Sequence, residues 1–277
     1  HLLTPDETVA LVAGQCRQWR EGELADARFV GLGVAVPGLV RQSDGLVRRA
    51  PHLGWTDVAL RTPLQEATGL PTVVGNDASF GAHAENLFGA ARGIDDVVYL
   101  NGGASGIGGG LIVHGIPVTG SGGYAGEFGQ NRPGIAAPSD RRSGPSGVLE
   151  DEVSRARLLA ALQLRGADDP TLAATLRQPP SVDVVEEVGR QRRILATALA
   201  NAVNVLNPSV VVLGGFLAML AEHDNDDFAE MVRTQAMPSN AEELRILSAA
   251  LAEDRLLIGA AEAAFADLLS DPAAFAS

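Results

Sequence analysis

Only one cysteine occurs in the 277 residues. That excludes an internal disulfide and any cysteine-rich metal cluster. Cys16 shares a helical stripe with Val9, Val12 and Trp19, so it reads as a small buried side chain rather than a reactive thiol. One free cysteine fits a reducing cytoplasm. Long apolar runs are missing too. No stretch approaches the roughly eighteen residues that a membrane span needs, and mean hydropathy is only +0.11. Basic residues are in deficit: 21 Lys and Arg stand against 34 Asp and Glu, a net charge of −13. A chain that gripped nucleic acid by itself would show a basic face. The acidic balance implies solubility and nothing narrower. The first residue is His1 and no secretory signal pattern precedes the first helix, so the chain is expected to be a piece of a longer or processed protein.

What is present is enough for a sizeable core. Hydrophobic residues make up 46%, and the length suits two lobes. Residues 5–20 form an amphipathic pattern, with Thr4 as cap and Pro5 in the first position. An apolar run of strand length over 29–36 closes at Pro37-Gly38. A short helix over 63–68 ends at Gly69, a strand follows over 72–75, and a helix over 78–91. Strands are expected at 96–100 and 106–113. Residues 120–147 are rich in Gly, Pro, Ser and Arg and show no period, as a long functional or disordered loop would. Helices then dominate, the longest over 182–206, stopping before Pro208. A buried strand at 210–213 runs into Gly214-Gly215 and another helix. A last strand spans 244–250 and a last helix 256–269. The acidic residues 224–227 read as a solvated loop, and Arg41, Arg48 and Arg49 as solvated surface. Alternating strands and helices make the class α/β.

Gly75-Asn76-Asp77 sits between a strand and a helix, at the carboxyl end of the strand, where open α/β sheets place ligands. Asp77 there can take a proton from a hydroxyl or hydrogen-bond two of them. It can equally cap the helix that begins at Ala78. The glycine loop 102–110 can bring backbone N–H groups to an anion, or it can be a hairpin whose strands pack closely. It is neither a P-loop, since no Gly-Lys-Ser/Thr follows, nor a dinucleotide fingerprint, since no helix follows. Glu127, in the turn Gly126-Glu127-Phe128-Gly129, can bind a diol or remain a solvated carboxylate. Glu150 can do the same or favour the first turn of a helix.

Together these blocks resemble the ROK family (repressors, open reading frames and kinases). The resemblance is carried by Gly33-Val34-Ala35-Val36-Pro37-Gly38, Ala50-Pro51-His52-Leu53-Gly54-Trp55, Gly75-Asn76-Asp77-Ala78, Gly106-Ile107-Gly108-Gly109-Gly110 and Gly126-Glu127-Phe128-Gly129. Asn204-Val205-Leu206-Asn207-Pro208, Leu213-Gly214-Gly215 and Ile258-Gly259-Ala260-Ala261 complete it. It implies an α/β, actin-like or sugar-kinase (ribonuclease H-like) fold of two lobes, with the N-terminal lobe incomplete. The lobes are expected at 1–95 and 96–277, the last helix returning to the first. It also implies that Asn76, Asp77, Glu127, Gln130 and Glu150 bind a sugar or sugar phosphate, with Asp77 the general base if the chain is a kinase. Gly103, Ser105, Gly106, Gly108, Gly214 and Gly215 would face a nucleotide, if that site is retained.

The departures from the family pattern carry as much information. Where the family has a His and three Cys that hold a structural zinc, this chain has Gln130, Arg141, Ser143 and Val148, while Gly144, Gly147 and Glu150 remain. Arginine and valine cannot ligate zinc, and Gln and Ser do so poorly. No metal and no cofactor are expected, ATP with Mg only if the chain is a kinase, and the segment 132–147 is expected to be mobile. No Asp-x-Gly-Gly-Thr phosphate loop precedes Phe29, and the hairpin reads Ala104-Ser105 where kinases have Gly-Thr-Gly. The expectation is therefore a cytoplasmic, homo-oligomeric, sugar-sensing effector domain of a ROK regulator, reaching DNA through a domain upstream of His1. The alternative is a sugar kinase without its N-terminal phosphate loop.

Overall fold

The computed structural model describes residues 2–143, 147–223 and 228–275. Gly144 and the acidic stretch 224–227 lie outside the described residues. The chain divides into two compact units, one of residues 1–84, 119–125 and 253–277, the other of 85–118 and 126–252.

In the first unit, α1 spans Pro5–Glu21. Thr4 and Glu7 form a reciprocal capping box, and Pro5 occupies the first turn, where its missing N–H costs nothing. Strand β1 (Leu32–Val36) leads to β2 (Leu39–Arg41), β3 (Leu46–Ala50) and β4 (Trp55–Ala59). These last three form an antiparallel sheet of their own. Helix α2 (Arg61–Thr68) ends at Gly69, which takes a left-handed conformation. Strand β5 (Thr72–Asn76) pairs in parallel with β1, so that Val36 and Asn76 stand side by side at the carboxyl ends. Helix α3 (Asp77–Phe88) follows at once. The core of this unit is Val36, Val40, Val47, Ala50, Trp55, Leu60, Leu64 and Val74, with Val9 and Val12 of α1 packed on it. Cys16 is buried.

The second unit begins with β6 (Val97–Gly103), β7 (Gly106–Val113) and β8 (Ile116–Pro117). Short helices α4 (Leu149–Glu152), α5 (Arg155–Ala161) and α6 (Asp169–Leu176) precede the long α7 (Val182–Leu206). Then come β9 (Val210–Gly215), α8 (Phe216–Glu222), α9 (Phe228–Arg233), α10 (Pro238–Ala241) and β10 (Arg245–Ser248). The sheet runs β10-β9-β6-β7-β8, parallel through the first three strands. Leu100, Val211, Leu213, Leu195, Leu199 and Phe216 lie at the centre of its core. Helix α11 (Arg255–Ser270) belongs to the first unit, where Ala260 is so close to Gly33 of β1 that a Cβ at 33 would meet its carbonyl oxygen at 1.8 Å.

The sheet of β2, β3 and β4 was not foreseen in the sequence. Its hairpin signal is Asp44-Gly45, with Gly45 at φ +68°. Of the arginines read as solvated surface, Arg48 and Arg49 are exposed, and two form solvent-accessible ion pairs at 2.5 Å: Arg41 with Asp44 within the turn and Arg48 with Asp57 on the adjacent strand. None of the described helices is long and apolar enough to cross a membrane.

Candidate functional site

In the first unit the candidate residues lie at the paired ends of β1 and β5. Asn76, not Asp77, caps α3: its Oδ1 accepts from the Ser79 N–H at 2.9 Å. Its Nδ2 donates to the Gly38 carbonyl at 2.9 Å and to Asp77 Oδ1 at 3.2 Å. Both amide donors of Asn76 are thus spent within the protein. It ties the Pro37-Gly38 turn to the helix start and orients the carboxylate beside it. The reading of Asp77 as a helix cap is corrected by one residue. That frees Asp77, which accepts only the N–H of Ala78 next to it, at 2.9 Å, besides Asn76. Burial pushes the Asp77 carboxyl above its ordinary value, against the Ala78 N–H and the positive charge of Arg255. A carboxylate tuned upward at the carboxyl end of a strand is suited to exchange a proton with a hydroxyl.

In the second unit the glycine loop is a hairpin. Strands β6 and β7 pair down to Gly103 and Gly106, leaving Ala104 and Ser105 as a two-residue turn. Several of its glycines are explained by packing. A Cβ at Gly109 would meet the Phe128 ring at 2.5 Å and the Gly126 carbonyl at 2.7 Å. A Cβ at Gly106 would meet Glu150 Oε2 at 2.4 Å, whereas one at Gly103 would make only ordinary contacts, the nearest at 3.9 Å. The turn 126–129 therefore lies directly on β7. Glu150, in the first turn of α4, accepts the Ile107 N–H at 3.2 Å with Oε2 and the Gln130 amide at 2.5 Å with Oε1. Gln130 and Glu150 are brought together as one unit. Glu127 is exposed and lines a cavity of about 500 Å³ with Phe128, Asn131, Arg132, Leu149 and Val205; neither Glu150 nor Gln130 lines that cavity.

Gly214 and Gly215 end β9 beside Asn101 and Gly102 of β6. A Cβ at Gly215 would meet the Gly102 carbonyl oxygen at 2.0 Å, and the residue sits at φ +59°, so glycine is required there. Asn101 was passed over in the sequence. Its Oδ1 is buried without a hydrogen-bond partner, 2.6 Å from where a Cβ on Gly214 would lie. A polar side chain at the carboxyl end of an otherwise apolar strand is the signal that could have found it.

The donors at the expected metal positions do not suit zinc. The Gln130 amide is spent on Glu150, and Ser143 Oγ donates to Glu152 at 2.7 Å. Among the described residues no group of three or more His, Cys, Asp or Glu could hold a metal ion.

The sequence model of the ROK family matches residues 18–266. The chain is 27% identical over 260 residues to a xylose repressor of Caldicellulosiruptor bescii, covering 88% of this chain and 64% of the repressor. The chain thus spans less than two thirds of that relative's length. A crystal structure of a ROK family transcriptional regulator, a homolog of the E. coli MLC protein, superposes with a TM-score of 0.79 at 24% identity, over 94% of this chain and 69% of that one. A ROK family glucokinase from Streptomyces griseus, in complex with glucose and AMPPNP, gives 0.67 at 25% identity, over 94% and 88%. The mixed α/β architecture is the actin-like, sugar-kinase fold. On a match that runs through nearly all of its length, the chain belongs to the ROK family.

Proposed function

We propose that this chain is the sugar-sensing effector and oligomerisation domain of a cytoplasmic ROK transcriptional regulator, with DNA bound by a domain outside the sequence given. The observation that carries the reading is the Gln130–Glu150 pair. A carboxylate held by a side-chain amide and the Ile107 N–H is a preformed acceptor for sugar hydroxyls. A kinase positions its acceptor sugar with the same kind of contact, so the choice of sensor over kinase rests on the repressor relatives. Asp77, oriented by an Asn76 whose amide is spent within the protein, is a further proposed sugar contact, as is Glu127. The xylose repressor and the MLC homolog support the same reading. Sugar binding then acts by favouring one arrangement of the domain over another.

One observation favours the kinase reading instead: the raised Asp77 carboxyl suits a general base. In that case ATP with Mg would lie toward Gly103, Ser105, Gly106, Gly108, Gly214 and Gly215. Calorimetry of the full-length protein with D-xylose and D-glucose, beside an assay for ADP release with ATP and Mg, separates the two. Saturable sugar binding without ADP release is expected. Sugar-dependent ADP release would make the protein a kinase, and no binding of either sugar would remove the sensor reading. Elemental analysis of the same material is expected to find zinc well below one equivalent.

A further inference from the structure

Glu152 ends α4 and is 1% exposed, yet it carries a charge. Such a group is tolerated only when paired and fully hydrogen-bonded. Its partners come from two places. The preceding loop offers the Arg142 N–H at 3.0 Å, the Ser143 N–H at 2.9 Å and Ser143 Oγ at 2.7 Å. From α7, Arg190 offers Nη1 at 3.0 Å. Arg190 is itself wholly buried. It donates also to the Asp140 carbonyl at 2.9 Å, the Glu152 carbonyl at 2.7 Å and both carboxylate oxygens of Glu187, at 2.9 and 2.7 Å. One turn further along α7, Arg193 grips the Asp140 carboxylate with two bonds of 2.9 and 2.8 Å.

The balance of charge follows from these contacts. Burial alone would raise the Glu152 carboxyl, but the Ser143 and Arg142 donors and Arg190 hold it below its ordinary value. The side-chain bond from Arg193 does the same for Asp140. Both acids are therefore ionised at neutral pH, and the segment 139–143 is fastened to α7 from two sides. This is the stretch expected to be mobile for want of metal. Its described residues carry specific anchors, and the ones that grip Glu152 are the backbone of Arg142 and the side chain and backbone of Ser143. Guanidinium groups suit the task, because their planar fork satisfies carboxylates and carbonyls at once. The chain has no lysine, so all 21 of its Lys and Arg positions are arginine.

We propose that Glu152 and Arg190 are positioning residues: they clip the segment 139–143 to α7 and thereby set the turn of α4 from which Glu150 meets Gln130 and Ile107. Glu150 lies two residues before Glu152 in a helix of only four residues, so the clip and the ligand carboxylate move as one piece. The clip stands on geometry alone. Its effect on ligand rests on the sugar-binding reading above.

The test uses the full-length protein and hydrogen–deuterium exchange at residues 140–143, with D-xylose and D-glucose as calorimetric probes. In Glu152→Gln and in Arg190→Met, exchange there is expected to speed up by about tenfold or more, and the Kd for whichever sugar binds to rise by about fivefold or more. A double variant, Glu152→Leu with Arg190→Met, removes both charges, and such replacements often recover stability. It is expected to have a higher thermal midpoint than Arg190→Met alone, because no uncompensated Glu152 charge is left, while recovering neither loop protection nor affinity. If the double variant recovers affinity along with stability, the pair is structural only and the positioning role is overturned. Unchanged exchange in Glu152→Gln overturns the clip itself. Should these variants fail to fold, Ser143→Ala removes a single donor and is expected to speed exchange at 142–143 measurably; no change there overturns the clip as well. Wild-type protein that binds neither sugar overturns the proposed function, and the exchange measurements still decide the clip.

Discussion

An Asp77→Asn variant is expected to lose most of its sugar affinity and to be more stable than the wild type. Both effects come from the same carboxylate. Asp77 is partly buried, receives only two hydrogen bonds from the protein, and has its carboxyl pushed upward chiefly by burial. An acid whose folded value lies above its unfolded one favours folding most below the unfolded value and loses that contribution as pH rises through the folded one. At neutral pH the ionised Asp77 therefore counts against the native state. Asparagine keeps the shape and the acceptor oxygen that Ala78 and Asn76 use, and it carries no charge. Relief of such a functional-site residue is worth about 0.5–2 kcal/mol. The stability gap between variant and wild type should widen from pH 4 to pH 8 and close toward the ordinary Asp value. Binding moves the other way. A hydrogen bond from a sugar hydroxyl to a charged acceptor is worth about 1.5–3 kcal/mol, so the Kd should rise by about tenfold to a hundredfold. Asp77→Ala should abolish binding. Thermal midpoints across that pH range, with calorimetry at pH 7, check both halves. Unchanged sugar affinity in Asp77→Ala would remove Asp77 from the site.

The legible part of this molecule is what the local pattern dictates. Residues 72–75, Thr-Val-Val-Gly, lie between the helix stop at Gly69 and the helix start at Asn76-Asp77, so a short strand entering a helix is strongly favoured, and β5 with α3 follows. The apolar stripe over 182–206 and Ser181 at its start mark α7 in the same way. The sheet of β2, β3 and β4 was missed because its strands are three to five residues long and two of its five β3 residues are exposed arginines. The glycines of 102–110 were read as an anion loop or a close-packed hairpin, and the hairpin is what forms; which element packs on it was not legible. Gly109 is needed because Phe128 and Gly126, nearly twenty residues on, lie against it. Within Asn76-Asp77 the residue types were legible and the division of labour was not. A shift of one residue in the helix start decides which of the two is the cap and which is left for a ligand. Glu152 and Arg190 carry no signal in the sequence, because a separation of 38 positions hides the pairing. Burial of charge is a property of the assembled unit and has no local signature.

The largest loss of stability is expected at Glu85. Its side chain is completely buried near the end of α3. One oxygen accepts the Ala90 N–H at 2.8 Å and the Ala250 N–H at 3.1 Å, and the other the Leu251 N–H at 2.8 Å. A carboxylate in the last turn of a helix is opposed by the helix dipole. Its presence there is explained by three backbone donors that have to be satisfied away from water. Glu85→Leu leaves all three unpaired, each at a cost of about 1–3 kcal/mol. A loss of roughly 3–5 kcal/mol is expected, a large share of the about 5–15 kcal/mol that holds a typical domain folded. Glu85→Gln should lose less. Its oxygen can keep Ala90 and Ala250, but its NH₂ then faces the Leu251 N–H, donor against donor. Gly89 gives an independent handle, since a Cβ there would lie 2.0 Å from Glu85 Oε2. Gly89→Ala should displace the carboxylate and reproduce much of the Leu phenotype. Because both changes break one cluster, the double variant should be little worse than Glu85→Leu alone. Urea unfolding of the wild type and the four variants, with exchange at Ala250 and Leu251, measures this. Full additivity, or a Glu85→Leu variant within about 1 kcal/mol of wild type, would mean that these amides find other partners and that Glu85 does not hold them.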